Sequence, residues 1–214
     1  MHAVIIANGD LTQTPKIQPG DFIIAADGGA KQCLAFSIRP HVIIGDMDSL
    51  EDDELTTLEA DGARIIRYPT RKDFTDLELA IAFAVEAGIE EVHIYAALGS
   101  RWDQTVANLL LPLAFPTLQI TLVEEPQEIF YIRGGETRQI IGQPGDTFSL
   151  IPIQCEAAGI TTENLEYPLK NGTLSFGSTR GVSNVLVNNR ASVSLKYGIL
   201  LCVHIRAASG AEGV

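Results

Sequence analysis

Four short stretches of this sequence combine carboxylates, cations and glycines at spacings that can hold a metal ion and a phosphate. They are Asp27-Gly28-Gly29, Gly45-Asp46-Met47-Asp48-Ser49, Lys72-Asp73-Phe74-Thr75-Asp76 and Gly99-Ser100-Arg101-Trp102-Asp103-Gln104. The pair Asp46 and Asp48 stands at i and i+2. In a regular strand two such carboxylates point the same way, which is costly unless a cation neutralises them, and Mg²⁺ takes one or two carboxylates plus substrate phosphates and water. A solvated acidic turn is the plainer alternative. Asp73 and Lys72 precede a helix start at Thr75, and Asp76 in the first turn suits either a site or the helix dipole. Arg101 opens another helical pattern, where a guanidinium and free amide groups both attract phosphate. Two glycines after Asp27 let backbone approach a phosphate or base closely, or simply make a turn.

Each stretch follows an apolar run that reads as a strand. The runs are Ala3–Ala7, Phe22–Ala26, Val42–Ile44, Arg64–Tyr68, Val92–Ala96 and Leu118–Val123. Several are apolar on both faces, as strands of a parallel sheet covered by helices must be. Helical patterns lie between them, clearest at Thr75–Ala87 and about Asp103–Leu113, the first opened by a capping-box sequence, Thr75-Asp76-Leu77-Glu78. This alternation predicts a doubly wound, mostly parallel α/β domain over residues 1–126. In such folds ligands bind beyond the carboxyl ends of the strands, which gathers all four clusters on one edge. From about Ile129 the helical rhythm stops. Runs at Phe148–Ile153, Val182–Val187, Ala191–Leu195 and Ile199–Ile205 alternate with Gly134-Gly135, Pro144-Gly145, Asn171-Gly172, Asn188-Asn189 and Tyr197-Gly198. These predict hairpins and a small antiparallel β-sandwich over residues 127–214, with the boundary at Glu124-Glu125-Pro126 and a small-residue tail from Ala207 expected to fray.

Composition narrows the function. Of 214 residues 46% are hydrophobic and 20% charged, which excludes wholesale disorder, and the net charge is −12. That charge opposes non-specific binding to nucleic acid or to an anionic membrane surface. The three cysteines, Cys33, Cys155 and Cys202, form no CxxC pair, so neither a zinc site nor a disulfide framework is expected. The N-terminal apolar run lacks a basic flank and reads as a core strand rather than a leader. No apolar stretch reaches the roughly 18 residues needed to span a bilayer. A reducing, cytoplasmic setting is expected. Neither GxGxxG nor a Walker A sequence occurs, and none of His2, His41, His93 and His204 accompanies a nucleophile motif. The residues alone therefore imply metal-assisted phosphate transfer or hydrolysis, with Lys72 and Arg101 neutralising phosphate charge.

In their order and spacing the four clusters resemble those of the thiamine pyrophosphokinases. Phe148-Ser149-Leu150-Ile151-Pro152, Leu165-Glu166-Tyr167-Pro168-Leu169 and Gly181-Val182-Ser183-Asn184 resemble that family's thiamine-binding β-domain. The resemblance covers nearly the whole chain. It implies transfer of a pyrophosphoryl group from ATP, the co-substrate, to the hydroxyl of thiamine with Mg²⁺. It also implies a homodimer whose active sites are shared between the α/β domain of one subunit and the β-domain of the other. On this resemblance Asp46, Asp48, Asp73 and Asp76 line the metal and phosphate site, with Arg101 and Asp103 beside them. Asp27, Gly28, Gly29, Lys72 and Arg101 belong to the ATP side. Ser183 and Asn184 contact thiamine, and Tyr167 offers an aromatic face to its cationic ring. The chain departs from the bacterial pattern at Ser100, Gln104 and Val185. A Mg²⁺-dependent phosphatase or nucleotide hydrolase is the alternative enzyme, and a non-catalytic thiamine or nucleotide sensor is the alternative of a different class.

Overall fold

Apolar runs that must hide both faces dictate the first half of the architecture. The computed structural model describes residues 1–208 of the chain, and it divides at Glu124 into two compact units. The tail expected to fray lies mostly outside the described residues. In the first unit the parallel strands are β1 (His2–Ile6), β2 (Phe22–Ala26), β3 (Val42–Gly45), β4 (Arg64–Arg67), β5 (Glu91–Tyr95) and β6 (Gln119–Glu124). Their order is β6-β5-β1-β2-β3-β4, every neighbouring pair parallel. The helices are α1 (Gly29–Ala35), α2 (Asp52–Ala60), α3 (Asp76–Glu86) and α4 (Trp102–Leu110), the last continued by a 3₁₀ turn at Leu111–Ala114. Val4, Ile6, Ile23, Ala25 and Ile43 form one buried face with Cys33 of α1 and Leu55 and Leu58 of α2. The alternate residues Ile5, Ile24 and Ile44 are also buried, and α3 packs on β1, β2 and β3. Helices on both faces make this the expected doubly wound sheet. Successive strands step one way from β1 to β4 and the other way through β5 and β6, so the order reverses between β1 and β5.

Helices α1 and α2 have no clear apolar period in the sequence. Helix α2 reads DDELTTLEA and buries only Leu55 and Leu58. It carries a reciprocal capping box, Glu51 with Glu54. At α3 the Thr75 arm of the expected box is present, its hydroxyl accepting from the Glu78 N–H at 3.2 Å.

The second unit is antiparallel throughout. Its strands are β7 (Gln127–Arg133), β8 (Thr137–Ile141), β9 (Thr147–Pro152), β10 (Glu156–Glu163), β11 (Gly172–Ser175), β12 (Asn184–Val185), β13 (Arg190–Ser194) and β14 (Ile199–Ile205). They form the orders β12-β9-β14-β7 and β11-β10-β13-β8. One core takes Phe130, Phe148, Leu150 and Leu200 from the first and Ile140, Ile160, Leu174 and Val193 from the second, which is the expected sandwich. Two local readings differ. The run Val182–Val187 is a strand only at Asn184–Val185, because Ser183 has φ +61° and the Leu186 and Val187 amides turn away to the Asp146 and Asn164 carbonyls. Asn171-Gly172 does not make a two-residue hairpin: Asn171 takes φ +51° but ends an eight-residue connection between β10 and β11.

Candidate active site

The carboxyl ends of β2, β3 and β5 each carry a non-glycine residue in the left-handed region: Asp27 (φ +42°), Met47 (φ +66°) and Ala96 (φ +55°). Such residues cost about 1–3 kcal/mol each and cluster where a turn must aim side chains at a ligand. At Asp27 and Asp48 the turns do so. Carboxylate oxygens of Asp27, Asp46 and Asp48 lie within 4.8 Å of one another. Asp27 is only 6% exposed, its Oδ2 accepting from the Ser49 hydroxyl at 2.5 Å and its Oδ1 buried without a hydrogen-bond partner. A buried carboxylate oxygen left unpaired beside two other carboxylates is unfavourable unless a cation completes it. The donor set is all oxygen, as Mg²⁺ requires. The residues present therefore fit a hard divalent cation at Asp27, Asp46 and Asp48.

Gly45 makes room for this arrangement. A Cβ there would lie 2.9 Å from the Asp27 Cβ and 3.1 Å from Asp76 Oδ1. Lys72 closes the other side, its ammonium 3.1 Å from Asp76 Oδ1 and 3.6 Å from Asp46 Oδ2. Burial pushes the Asp46 carboxyl up, but the Asp48 N–H, the Lys72 charge and the Thr70 hydroxyl together hold it below the usual range. Asp76 goes the other way. Burial raises it, the neighbouring Asp27 and Asp46 charges add to this, and Lys72 offsets only part. Burial alone would lower Lys72, but Asp76 and Asp46 outweigh it and raise its pKa.

Beside the cluster lies a cavity of about 350 Å³ at the reversal between β1 and β5. It is lined by Asn8, Gly9 and Asp10 after β1, by Ala96–Arg101 after β5, by Asp27 and Asp76, and by Gln104 and Asn108 of α4. Of the residues expected here, Asp27, Asp46, Asp48, Lys72 and Asp76 come together, and Arg101 lines the cavity. Arg101 makes a two-bond fork to Asp103, Nη2 to Oδ2 at 2.6 Å and Nε to Oδ1 at 3.3 Å, both side chains largely exposed. Asp73 is exposed, on the segment before the Thr75 cap, and is not one of the three carboxylates that lie within 4.8 Å of one another. Gly28 and Gly29 serve packing rather than an open approach. A Cβ on Gly28 would fall 2.0 Å from Asn8 Oδ1, and one on Gly29 2.0 Å from the Ile6 carbonyl oxygen. Sequence reasoning misses Asn8, Asp10 and Asn108 as lining residues, and it names Ser49 and Gln104 in the clusters without giving them a role. Asn8-Gly9-Asp10 follows a strand like the other clusters, so the same positional rule could have found it.

In the second unit a cavity of about 560 Å³ is lined by Tyr167, Pro168, Ser183 and Asn184, with Glu166 and Arg180. Tyr167 is 67% exposed. The Ser183 N–H donates to the Ser149 hydroxyl at 3.0 Å, which fixes its left-handed turn. Asn184 lines the cavity, as expected of a residue on the thiamine side, and its amide also binds backbone. Its Oδ1 accepts from the Tyr167 N–H at 3.0 Å and from its neighbour Val185 at 2.9 Å, and its Nδ2 donates to the Tyr167 carbonyl at 2.8 Å. The Glu166 N–H also donates to the Val185 carbonyl at 2.9 Å, so the Asn184 bonds to Tyr167 extend this backbone link by one residue.

These features define an α/β unit with an acidic, phosphate-sized cleft at its topological switch point, followed in the chain by an antiparallel β unit with a pocket of its own. Residues 16–123 match the family model described as thiamin pyrophosphokinase, catalytic domain, and residues 137–200 match thiamin pyrophosphokinase, vitamin B1 binding domain. The chain belongs to the thiamin pyrophosphokinase family. It is 29% identical over 182 residues to the thiamine pyrophosphokinase of Bacillus subtilis, covering 84% of this chain and 85% of that one. It is 25% identical to thiamine pyrophosphokinase 1 of Oryza sativa subsp. japonica, over 96% and 88% of the two chains. The crystal structure of the Bacillus subtilis thiamine pyrophosphokinase superposes with a TM-score of 0.87 at 26% identity, over 97% of this chain and all of that one.

Proposed function

We propose that this protein transfers the pyrophosphoryl group of ATP to the hydroxyl of thiamine, giving thiamine diphosphate and AMP. One observation carries the reading: an orphaned buried carboxylate, Asp27, lines the switch-point cavity and stands within 4.8 Å of Asp46 and Asp48, in a chain whose two halves match the two domains of one family. Asp27, Asp46 and Asp48 hold Mg²⁺, which when bound neutralises the polyphosphate and polarises the phosphorus that is attacked. Asp76 and Lys72 border that position. Arg101, oriented by Asp103, faces phosphate oxygens from the start of α4, and Asn8, Gln104 and Asn108 contribute polar groups to the nucleotide cavity. The hydroxyl oxygen bonds to the β-phosphorus, its proton passing to solvent, and the bond from that phosphorus to the α–β bridging oxygen breaks, the bridging oxygen and its electron pair leaving with AMP. Water must be kept away, since hydrolysis of ATP competes with transfer.

Thiamine binds in the β unit, its ring against Tyr167 and its polar edge near Ser183. Asn184 acts there by holding the Tyr167 backbone. The active form is a homodimer that pairs the α/β unit of one subunit with the β unit of the other. Supporting this are exposed apolar side chains on each unit: Trp102, Val106 and Leu110 along one face of α4, and Tyr167 and Val182 lining the second cavity. Among the described residues no helix is long and apolar enough to cross a membrane, and Cys33, Cys155 and Cys202 are free thiols, consistent with a cytoplasmic site of action.

A coupled AMP-release assay with ATP and Mg²⁺ tests the function. AMP formed only when thiamine is present supports it, AMP or ADP formed equally without thiamine makes the protein a nucleotide hydrolase, and binding without turnover makes it a sensor. Mixing Asp46→Asn chains with Ser183→Ala chains tests the shared site: exchange should create one intact site per heterodimer and restore part of the activity.

A further inference from the structure

One carboxylate in the acidic cleft serves two cations. Asp46 belongs to the metal-sized triangle with Asp27 and Asp48, and the same residue is 3.6 Å from the Lys72 ammonium. Lys72 is not a surface lysine that swings freely. Its side chain is 12% exposed, and a second, closer pairing at 3.1 Å ties it to Asp76 in the first turn of α3. Asp76 in turn stands against Gly45, which also abuts Asp27. A divalent cation among Asp27, Asp46 and Asp48 and an ammonium on Asp46 repel one another at close range in a partly desolvated cleft.

We propose that Lys72 is an electrostatic interlock: while paired with Asp46 and Asp76 it holds the cleft's affinity for a free divalent cation low, and a nucleoside triphosphate offers it alternative anionic partners, so that metal and nucleotide load together. This rests on the reading that an ATP–metal complex is the substrate. Free Mg²⁺ then competes poorly for an empty cleft, and by linkage each ligand tightens the other by the same factor. The device differs from a lysine that merely contacts phosphate, and from one that merely supports the fold, in the sign of the change in free-metal affinity on its removal.

The test removes the charge and measures two affinities separately by calorimetry. Mn²⁺ is titrated without nucleotide, and the inert analogue α,β-methylene ATP is titrated in EDTA. For Lys72→Met, free Mn²⁺ should bind about tenfold tighter than in the wild type while the metal-free analogue binds about tenfold weaker. A simple phosphate contact would weaken the analogue and leave Mn²⁺ unchanged, and a structural lysine would weaken both; either result overturns the interlock. Should Lys72→Met fail to fold, Lys72→Gln keeps a polar head for Asp46 and Asp76 while removing the positive charge, and Mn²⁺ must again bind tighter. Wild-type AMP release with thiamine is measured alongside. Its absence refutes the proposed reaction, whereas normal wild-type turnover with unaltered Mn²⁺ affinity in the variants refutes only the interlock.

Discussion

Replacing Asn184 by alanine separates a positioning role from a contact role. The structure gives its amide three bonds, two of them to the Tyr167 backbone at 3.0 and 2.8 Å. Each such bond contributes roughly 0.5–1.5 kcal/mol net, so losing the two to Tyr167 loosens the 165–168 segment by about 1–3 kcal/mol. If Tyr167 must be ordered to cover thiamine, that energy is withdrawn from binding, and the KM for thiamine rises about 5- to 150-fold while the KM for ATP stays within about twofold. The deciding measurement is amide hydrogen exchange alongside steady-state kinetics. The Tyr167 amide should exchange faster in the variant by a similar factor, with β9 and β14 unchanged. A raised KM for thiamine with full protection at Tyr167 would refute the argument and make Asn184 a direct ligand contact.

Tyr167→Ala should weaken thiamine use and Tyr167→Trp should keep most of it, since the aromatic face survives; equal losses in both would exclude stacking. Asp27→Asn preserves the left-handed turn, which Asn tolerates, and removes a buried unpaired charge. Thermal unfolding without metal should rise by about 1 kcal/mol in stability, and the stabilisation given by Mg²⁺ should vanish; an undiminished Mg²⁺ response would place the ion elsewhere. Gly29→Ala drives a Cβ to 2.0 Å from the Ile6 carbonyl oxygen and should cost about 1–3 kcal/mol in denaturant titration. Gly28→Ala meets only the Asn8 side chain and should instead raise the KM for ATP; the reverse pattern would mean that the two glycines have been misread. Burial pushes Asp146 up, but N–H groups of Ala207 and Gln143 and the His204 ring hold it below the usual carboxylate range. Its folded pKa being depressed, its contribution is complete above the unfolded value of about 4 and is lost as pH falls through the folded value. Asp146→Ala, which strips a fully buried partner from His204, should cost about 3–5 kcal/mol at pH 7 and flatten the acid limb of the stability profile.

The parallel strands were legible because a strand covered on both faces must be apolar at every position, and runs such as Phe22–Ala26 have no other economical use. Position did the rest: carboxylates just past those runs had to gather on one edge. What the residues could not convey was backbone hand. Asp27 reads as a nucleotide-side residue, since only its left-handed φ turns it toward Asp46 and Asp48, and nothing in the local sequence demands that conformation. Asp73 and Asp76 stand three apart across a helix cap, and the cap sends Asp76 to Lys72 while Asp73 stays exposed. The glycine pair beside Asp27 looks like ligand space because a missing Cβ is the same whether the neighbour is a phosphate or Ile6. The backbone bonds of Asn184 were not legible for a similar reason, its Tyr167 partner lying 17 residues away in a connection without periodicity.

Strand β14 runs between β9 and β7, although among the described residues it is the last strand in chain order. During synthesis the sheet it completes therefore has a gap at its centre, and β7 and β9 have no direct partner in each other until Ile199–Ile205 has left the ribosome. His204, which completes the buried pair with Asp146, arrives in that same segment. The α/β unit, whose sheet is finished by Glu124, can close long before. Vectorial synthesis thus sorts the two halves in time: the α/β half is assembled while the β half still waits on its central strand. A frameshift or stop codon between Glu124 and Ile199 would leave a folded first half attached to open strand edges, a species prone to aggregate rather than to act as a weaker enzyme.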